Sequence, residues 1–317
     1  MVRPTPTSRR SKSSDRSRRG SATDFAIGGR RQVLKTIVLA ALAAVAVISG
    51  SAFTASADPV DDKLVIDEKE MITRAPAPEG HPFEEVMSGW LFREAETRAT
   101  EADSFANPGM LAVEQGEEIW NTIEGSAGKS CASCHNDAAE SMKSVGASFP
   151  RWDPDSKKPI NVELQIDKCR VKNMGAEPYK FDAPEQVSLT TYIKHQSLGQ
   201  RVKLDLASDE MQSWFDKGKE YYYNRTGQLN FSCSSCHEAS MGKYIRADHL
   251  SQGQANGFPT YRFNTGGMVS LHNRFRGCIR DTRAEMPKAF SDELMALEVY
   301  VTWRGTGLSV ETPAVRQ

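Results

Sequence analysis

Two copies of Cys-x-x-Cys-His, CASCH at 131–135 and CSSCH at 233–237, constrain this chain more than any other feature. Each sets two thiols three residues apart, with an imidazole directly after the second. This is the attachment signature of c-type haem. The thiols form thioethers with the porphyrin vinyl groups, and the adjacent histidine ligates the iron. A thioredoxin-like dithiol or half of a zinc site would not need a histidine after each pair. Covalent haem is expected at both motifs, held by Cys131 and Cys134 with His135, and by Cys233 and Cys236 with His237. Covalent haem attachment takes place outside the bacterial cytoplasmic membrane, so an exported chain is expected.

The surroundings of the motifs repeat as well. EQGEEIWNTIEGSAGKSCASCH matches DKGKEYYYNRTGQLNFSCSSCH, with Gly116 and Gly218 each 15 residues before the first haem cysteine. CRVKNMGAEPYKF then matches CIRDTRAEMPKAF without a gap, and EQVSLTTYI (185–193) matches ELMALEVYV (293–301). Apolar residues recur there at helical spacing, and Asp182 and Ser291 are expected as N-caps. Each copy reads as a helix, a haem loop, a ligand loop and a closing helix. The expected fold is mainly α: two tandem class I cytochrome c-like domains, each carrying one covalently attached haem. The domains are placed at 81–198 and 199–317, after an N-terminal extension at 58–80.

The first 57 residues read as an export signal. Arg30 and Arg31 resemble a twin-arginine start, an apolar run at 36–48 is short for a membrane span, and TASA ends at a small-residue cleavage site, Ala57. This segment carries 10 of the 40 basic and 2 of the 41 acidic residues. The remainder holds 30 basic and 39 acidic side chains, a net charge of −9, which argues against a nucleic-acid partner. A periplasmic location is expected.

Six cysteines in an exported chain would ordinarily suggest three disulfides, but four belong to the haem motifs. The other two, Cys169 and Cys278, occupy matching positions. Thiolate ligation of both irons opposite His135 and His237 is the preferred reading. Ligation by Met174 or Met286, and a Cys169–Cys278 disulfide, are the alternatives; equivalent positions in two similar domains are expected to lie apart. A thiolate favours ferric iron and gives a low potential. Cys278 also sits among four arginines in HNRFRGCIRDTR (272–283), a local positive site in an acidic chain. His272 in the same stretch reads as a proton carrier or as a loop histidine bonded to backbone.

The haem motifs, the paired lone cysteines, SGWLFREAETRATEADSFANPGML (88–111) and HNRFRGCIRDTRAEMP (272–287) together resemble the SoxA family, the dihaem cytochrome subunit of SoxAX in thiosulfate oxidation. The resemblance spans nearly the whole chain after the signal. It implies an L-cysteine S-thiosulfotransferase that joins thiosulfate to a carrier-protein cysteine (SoxYZ-like). It also implies a monohaem SoxX-like partner in a heterodimer and a downstream cytochrome c as electron acceptor. Carried over by residue, Cys278 is the catalytic cysteine, bearing a persulfide, and Arg274 binds substrate, with Arg276 and Arg280 as further candidates. Guanidinium groups suit a sulfonate-like dianion and would favour the Cys278 thiolate. In an extended segment, however, Arg274, Arg276, Arg280 and Arg283 could not all face one way. A dihaem electron-transfer protein without substrate chemistry, and a thiosulfate dehydrogenase forming tetrathionate, are the competing readings.

Overall fold

The computed structural model describes residues 62–317; the segment 1–57 expected as an export signal and the start of the expected extension lie outside the described residues. Helices of eight or more residues are α1 (Ala95–Ala102), α2 (Met110–Asn121), α3 (Val162–Cys169), α4 (Pro184–His195), α5 (Asp209–Tyr223), α6 (Leu271–Asp281) and α7 (Asp292–Arg304). None of the helices among the described residues is long and apolar enough to cross a membrane.

Two of these helices are buried around most of their circumference, α4 from Gln186 to Ile193 and α7 from Leu294 to Thr302. Leu189, Leu294 and Leu297 are almost completely enclosed, each stabilising the fold by about 1.5–3 kcal/mol. α2 crosses α4 at Gly116, where a Cβ would lie 2.3 Å from the Ser188 carbonyl oxygen. α5 crosses α7 at Gly218, where a Cβ would lie 1.9 Å from that of Ala296. Both glycines are there because the backbones touch. The repeated Gly in the sequence therefore marks a repeated helix crossing.

The repeat extends beyond the helices. Ser130 and Ser133 exchange backbone-to-hydroxyl hydrogen bonds (3.0 and 3.1 Å), as do Ser232 and Ser235 (3.1 and 3.3 Å), so each haem motif starts from the same capped turn. Strand Arg151–Asp153 pairs antiparallel with Lys158–Ile160, and Thr260–Arg262 with Gly267–Val269. The second pair gains a parallel third strand, Ala314–Arg316. Short strands thus supplement the expected helices. Each pair follows a cis Phe–Pro bond, at Phe149–Pro150 and Phe258–Pro259. The haem motifs are 102 positions apart, but Cys169 and Cys278 are 109 apart. The second copy thus holds seven extra residues between its motif and its lone cysteine, and in that interval lies the hairpin Tyr244–Ile245/Asp248–His249.

Ser291 caps α7 as expected, accepting from Leu294 N–H. Asp182 does not cap α4. The first copy has one residue more before its closing helix, which makes Ala183 the N-cap and Pro184 the first helical residue. Asp182, at φ +60°, instead accepts from Ser270 N–H and from the Asn273 side chain. This bond crosses the seam between the copies. There the equivalent residues Phe181 and Phe290 meet edge to face at 5.5 Å, so equivalence alone does not keep positions apart. The segment before α2 packs on the second copy: Ile72 N–H donates to Ser309 Oγ (2.9 Å), the Ser88 hydroxyl to Glu311 (2.6 Å) and Val315 N–H to Glu101 (2.8 Å).

Candidate functional site

Cys169 ends α3 and Cys278 lies within α6, so both lone cysteines sit on helices, where loops were expected. Each keeps company with its own haem motif. Burial, and then the nearby Cys169, push the Cys131 thiol up to about 11. Burial, and then Cys278, push the Cys233 thiol up to about 12. All six cysteines are free, which removes the Cys169–Cys278 disulfide. In the first copy Gln165, one turn before Cys169, donates its side-chain N–H to the sulfur at 3.2 Å. His135 is exposed, with its ring 5.8 Å from that of Trp120. Met174 is buried in the π-helical turn after Cys169, and Met286 is 41% exposed.

The second copy forms a crevice whose walls include His237, Asp248, Phe258, Arg262, Arg274 and Cys278. His237 Nδ1 donates to the Ser251 carbonyl at 2.9 Å, which leaves Nε2 with its lone pair available to a metal. Burial pushes this imidazole down to about 4. Its ring lies against Gly253, at φ +78°, where a Cβ would come within 2.7 Å of His237 Cγ. The crevice is therefore shaped around an imidazole held in one tautomer. The residues present fit a covalently attached haem: two thiols for the vinyl groups, one free imidazole nitrogen, and a cysteine sulfur on the crevice wall.

The arginines around Cys278 separate on the helix. Arg274 is one turn before Cys278 and shares its crevice. The Cys278 sulfur, more than any other group, holds its guanidinium above the ordinary value. Arg276 points elsewhere, 5.4 Å above the Phe181 ring at the seam. Arg280 is 66% exposed and pairs with its neighbour Asp281, and Arg283 lies beyond the helix end, exposed, at φ +59°. His272 belongs to α6, is buried, and accepts from Phe290 N–H (3.0 Å) while facing Glu298 (3.0 Å); it is a packing residue away from the crevice.

Sequence reasoning missed Asp248, Arg262 and Arg93. Arg262 Nη2 donates to Asp248 Oδ2 at 3.1 Å, Arg93 bonds Asp248 Oδ1, and Arg274 Nη2 lies 3.8 Å from Oδ2. Burial alone would raise the Asp248 carboxyl, but the three guanidinium groups outweigh it and hold it below the usual range. The signal available was the seven-residue insertion, since a segment present in one copy alone is where the copies differ in chemistry.

A thiol pair, a tautomerically fixed imidazole and a cysteine gathered with it at one crevice define a c-type cytochrome. The model of the SoxA/TsdA cytochrome c domain matches residues 115–202. The L-cysteine S-thiosulfotransferase subunit SoxA of Pseudaminobacter salicylatoxidans is 82% identical over 84% of this chain and 93% of its own. That of Rhodovulum sulfidophilum is 44% identical over 87% of this chain and 97% of its own. A chain of the crystal structure of SoxXA from P. pantotrophus superposes with a TM-score of 0.78 at 44% identity, covering 82% of this chain and all of that one. The chain belongs to the SoxA family of L-cysteine S-thiosulfotransferase subunits.

Proposed function

We propose that the chain joins thiosulfate to a carrier-protein cysteine through Cys278, in the periplasm, as the larger partner of a SoxX-like monohaem cytochrome. The supporting observation is that Arg274 and Cys278 share one helix face and one crevice with His237. The tandem domains 81–198 and 199–317 would hold two haems. Cys131 and Cys134, with His135 and Cys169 as axial ligands, would carry the first; Cys233 and Cys236, with His237 and Cys278, the second. When bound, haem supplies a one-electron acceptor that passes electrons toward the partner and a downstream cytochrome c.

The chain's own residues do the rest. Arg274 holds the sulfonate end of thiosulfate through charge-assisted hydrogen bonds and directs its sulfane sulfur toward Cys278. The outer sulfur of a Cys278 persulfide and the sulfane sulfur lose two electrons together as the S–S bond between them forms. The carrier (SoxYZ-like) thiolate then attacks the sulfane sulfur, the bond between that sulfur and the outer persulfide sulfur breaks, and the Cys278 persulfide anion leaves as before. The product is a carrier cysteine bearing –S–SO₃⁻. Over the whole reaction one thiol proton is released and two electrons are withdrawn.

The test is intact mass of the matured protein, then peptide mapping around Cys278. An addition of about 32 Da on that peptide places sulfur-transfer chemistry there. An unmodified Cys278 inert to thiosulfate would favour an electron-transfer cytochrome. Turnover of thiosulfate to tetrathionate without any carrier would favour a dehydrogenase.

A further inference from the structure

The seven-residue insertion supplies Asp248, and Asp248 organises three arginines. Arg93 is engaged at all three nitrogens: Nε donates to Gly89 O (3.2 Å), Nη1 to Asp248 and Nη2 to His249 O. It ties the N-terminal segment to the hairpin. Arg262 gives Nε to Asn264 (3.3 Å) and one Nη2 hydrogen to Asp248, which leaves the rest of its fork uncommitted. Arg274 is 3.8 Å from Asp248, beyond hydrogen-bond distance, so its fork is uncommitted as well. Three guanidinium groups meet one carboxylate, a local excess of positive charge beside the Cys278 sulfur. The nearby Arg316 is already engaged with Glu101 and the Val315 carbonyl.

The first copy has no such arrangement. The residue corresponding to Arg274 is Gln165, the residue corresponding to Arg262 is Asp153, and the insertion is missing. Asp153 is bound to Lys168 at 2.6 Å. The copies thus share a haem motif and a lone cysteine but differ in the charge placed around them.

We infer that Asp248 is a positioning residue that splays Arg262 and Arg274 into a two-guanidinium seat for a small divalent sulfur oxyanion beside Cys278. The seat rests on the thiosulfate reading above and adds to it the second arm, Arg262, and the carboxylate that sets the angle between the arms. Two planar forks held by a common anchor match the charge of a dianion and fix its orientation. A second fork narrows the orientations that Arg274 alone would allow.

The experiment titrates thiosulfate, by calorimetry, into the oxidised haem-loaded complex without carrier, for the parent, Asp248→Asn, Asp248→Glu and Arg262→Gln. Asp248→Asn is expected to weaken thiosulfate binding, and to raise KM, by about tenfold with kcat within about twofold. Arg262→Gln should lose a similar amount, and Asp248→Glu should recover most of the affinity. The visible spectrum and haem content should stay at parent values throughout. Binding by Asp248→Asn as tight as the parent's, or tighter because one negative charge is gone, would overturn the seat. So would loss of haem, since the arginines would then serve the haem rather than the substrate. If the parent itself does not bind thiosulfate, the functional reading fails, and the seat with it.

Discussion

Gln165 donates a hydrogen bond to Cys169 at 3.2 Å, and Arg274 occupies the same place one turn before Cys278. The two sulfurs thus receive opposite treatment. Cys169 has a neutral amide that holds it in place. Cys278 has beside it the full positive charge of Arg274, partly exposed at the crevice, whose guanidinium makes no hydrogen bond to a protein acceptor. A neutral donor suits a sulfur that only ligates, and an uncommitted cation suits one that must attract an anion.

Arg274→Gln, which copies the first site's residue into the second, is expected to lower kcat/KM for thiosulfate by about a hundredfold. Arg274→Lys should recover part of that loss, because the charge survives and the planar fork does not. The melting temperature should barely move, since this side chain is 31% exposed and makes no hydrogen bond to the fold. Steady-state kinetics decide it: turnover by Arg274→Gln within about threefold of the parent would remove Arg274 from substrate binding.

Gly253→Ala tests how tightly the crevice is built. The new Cβ would meet His237 Cγ at 2.7 Å, on a backbone at φ +78° that side chains rarely adopt. Either the ring or the loop must move, and both carry the bond between His237 and the Ser251 carbonyl. Loss of about 1–3 kcal/mol of stability is expected, together with a changed iron-ligand signature in the visible and electron paramagnetic resonance spectra. An unchanged spectrum would mean that the Ser251–Gly253 loop does not fix this imidazole.

Much of this molecule is legible in its sequence because it is written twice. Gly116 and Gly218 announced the repeated helix crossing, and the second haem motif and Cys278 a crevice, that the structure contains. One misreading arose at a single-residue difference between the copies: one extra residue before α4 displaced Asp182 from the cap position. The segment 272–283 is largely a helix, which sets Arg274 beside Cys278 and turns Arg276 and Arg280 away. Asp248, Arg262 and Arg93 were not legible, because their meeting depends on a hairpin, a strand and an N-terminal segment brought together from distant parts of the chain. The contact between Phe181 and Phe290 shows the same limit: a repeat in sequence does not say how its two copies face each other.

The pH dependence of stability offers a test of two buried carboxylates. Glu311 is enclosed, and burial, and then the charge of Glu101, push its carboxyl up to about 8. Burial, and then Glu298, bring Glu163 up to about 7. The folded chain therefore keeps protons that the unfolded chain has released above its ordinary glutamate pKa of about 4.3. Stability from these groups is fully present below that pH and is lost as pH rises through the folded values. Buried histidines act in the opposite direction at lower pH: burial pushes His81 down to about 4 and lowers His195. Their contribution is complete above about pH 6.5, which leaves pH 6.5–8 as the window for the carboxylates. Across it, urea unfolding of the parent is expected to lose up to about 2 kcal/mol on account of Glu311. Glu311→Gln keeps an acceptor for the Ser88 hydroxyl and has no proton to lose, so its stability curve should be flatter by that amount. Parallel curves for the two proteins would mean that Glu311 is already ionised in the folded chain, with Arg316 compensating its charge.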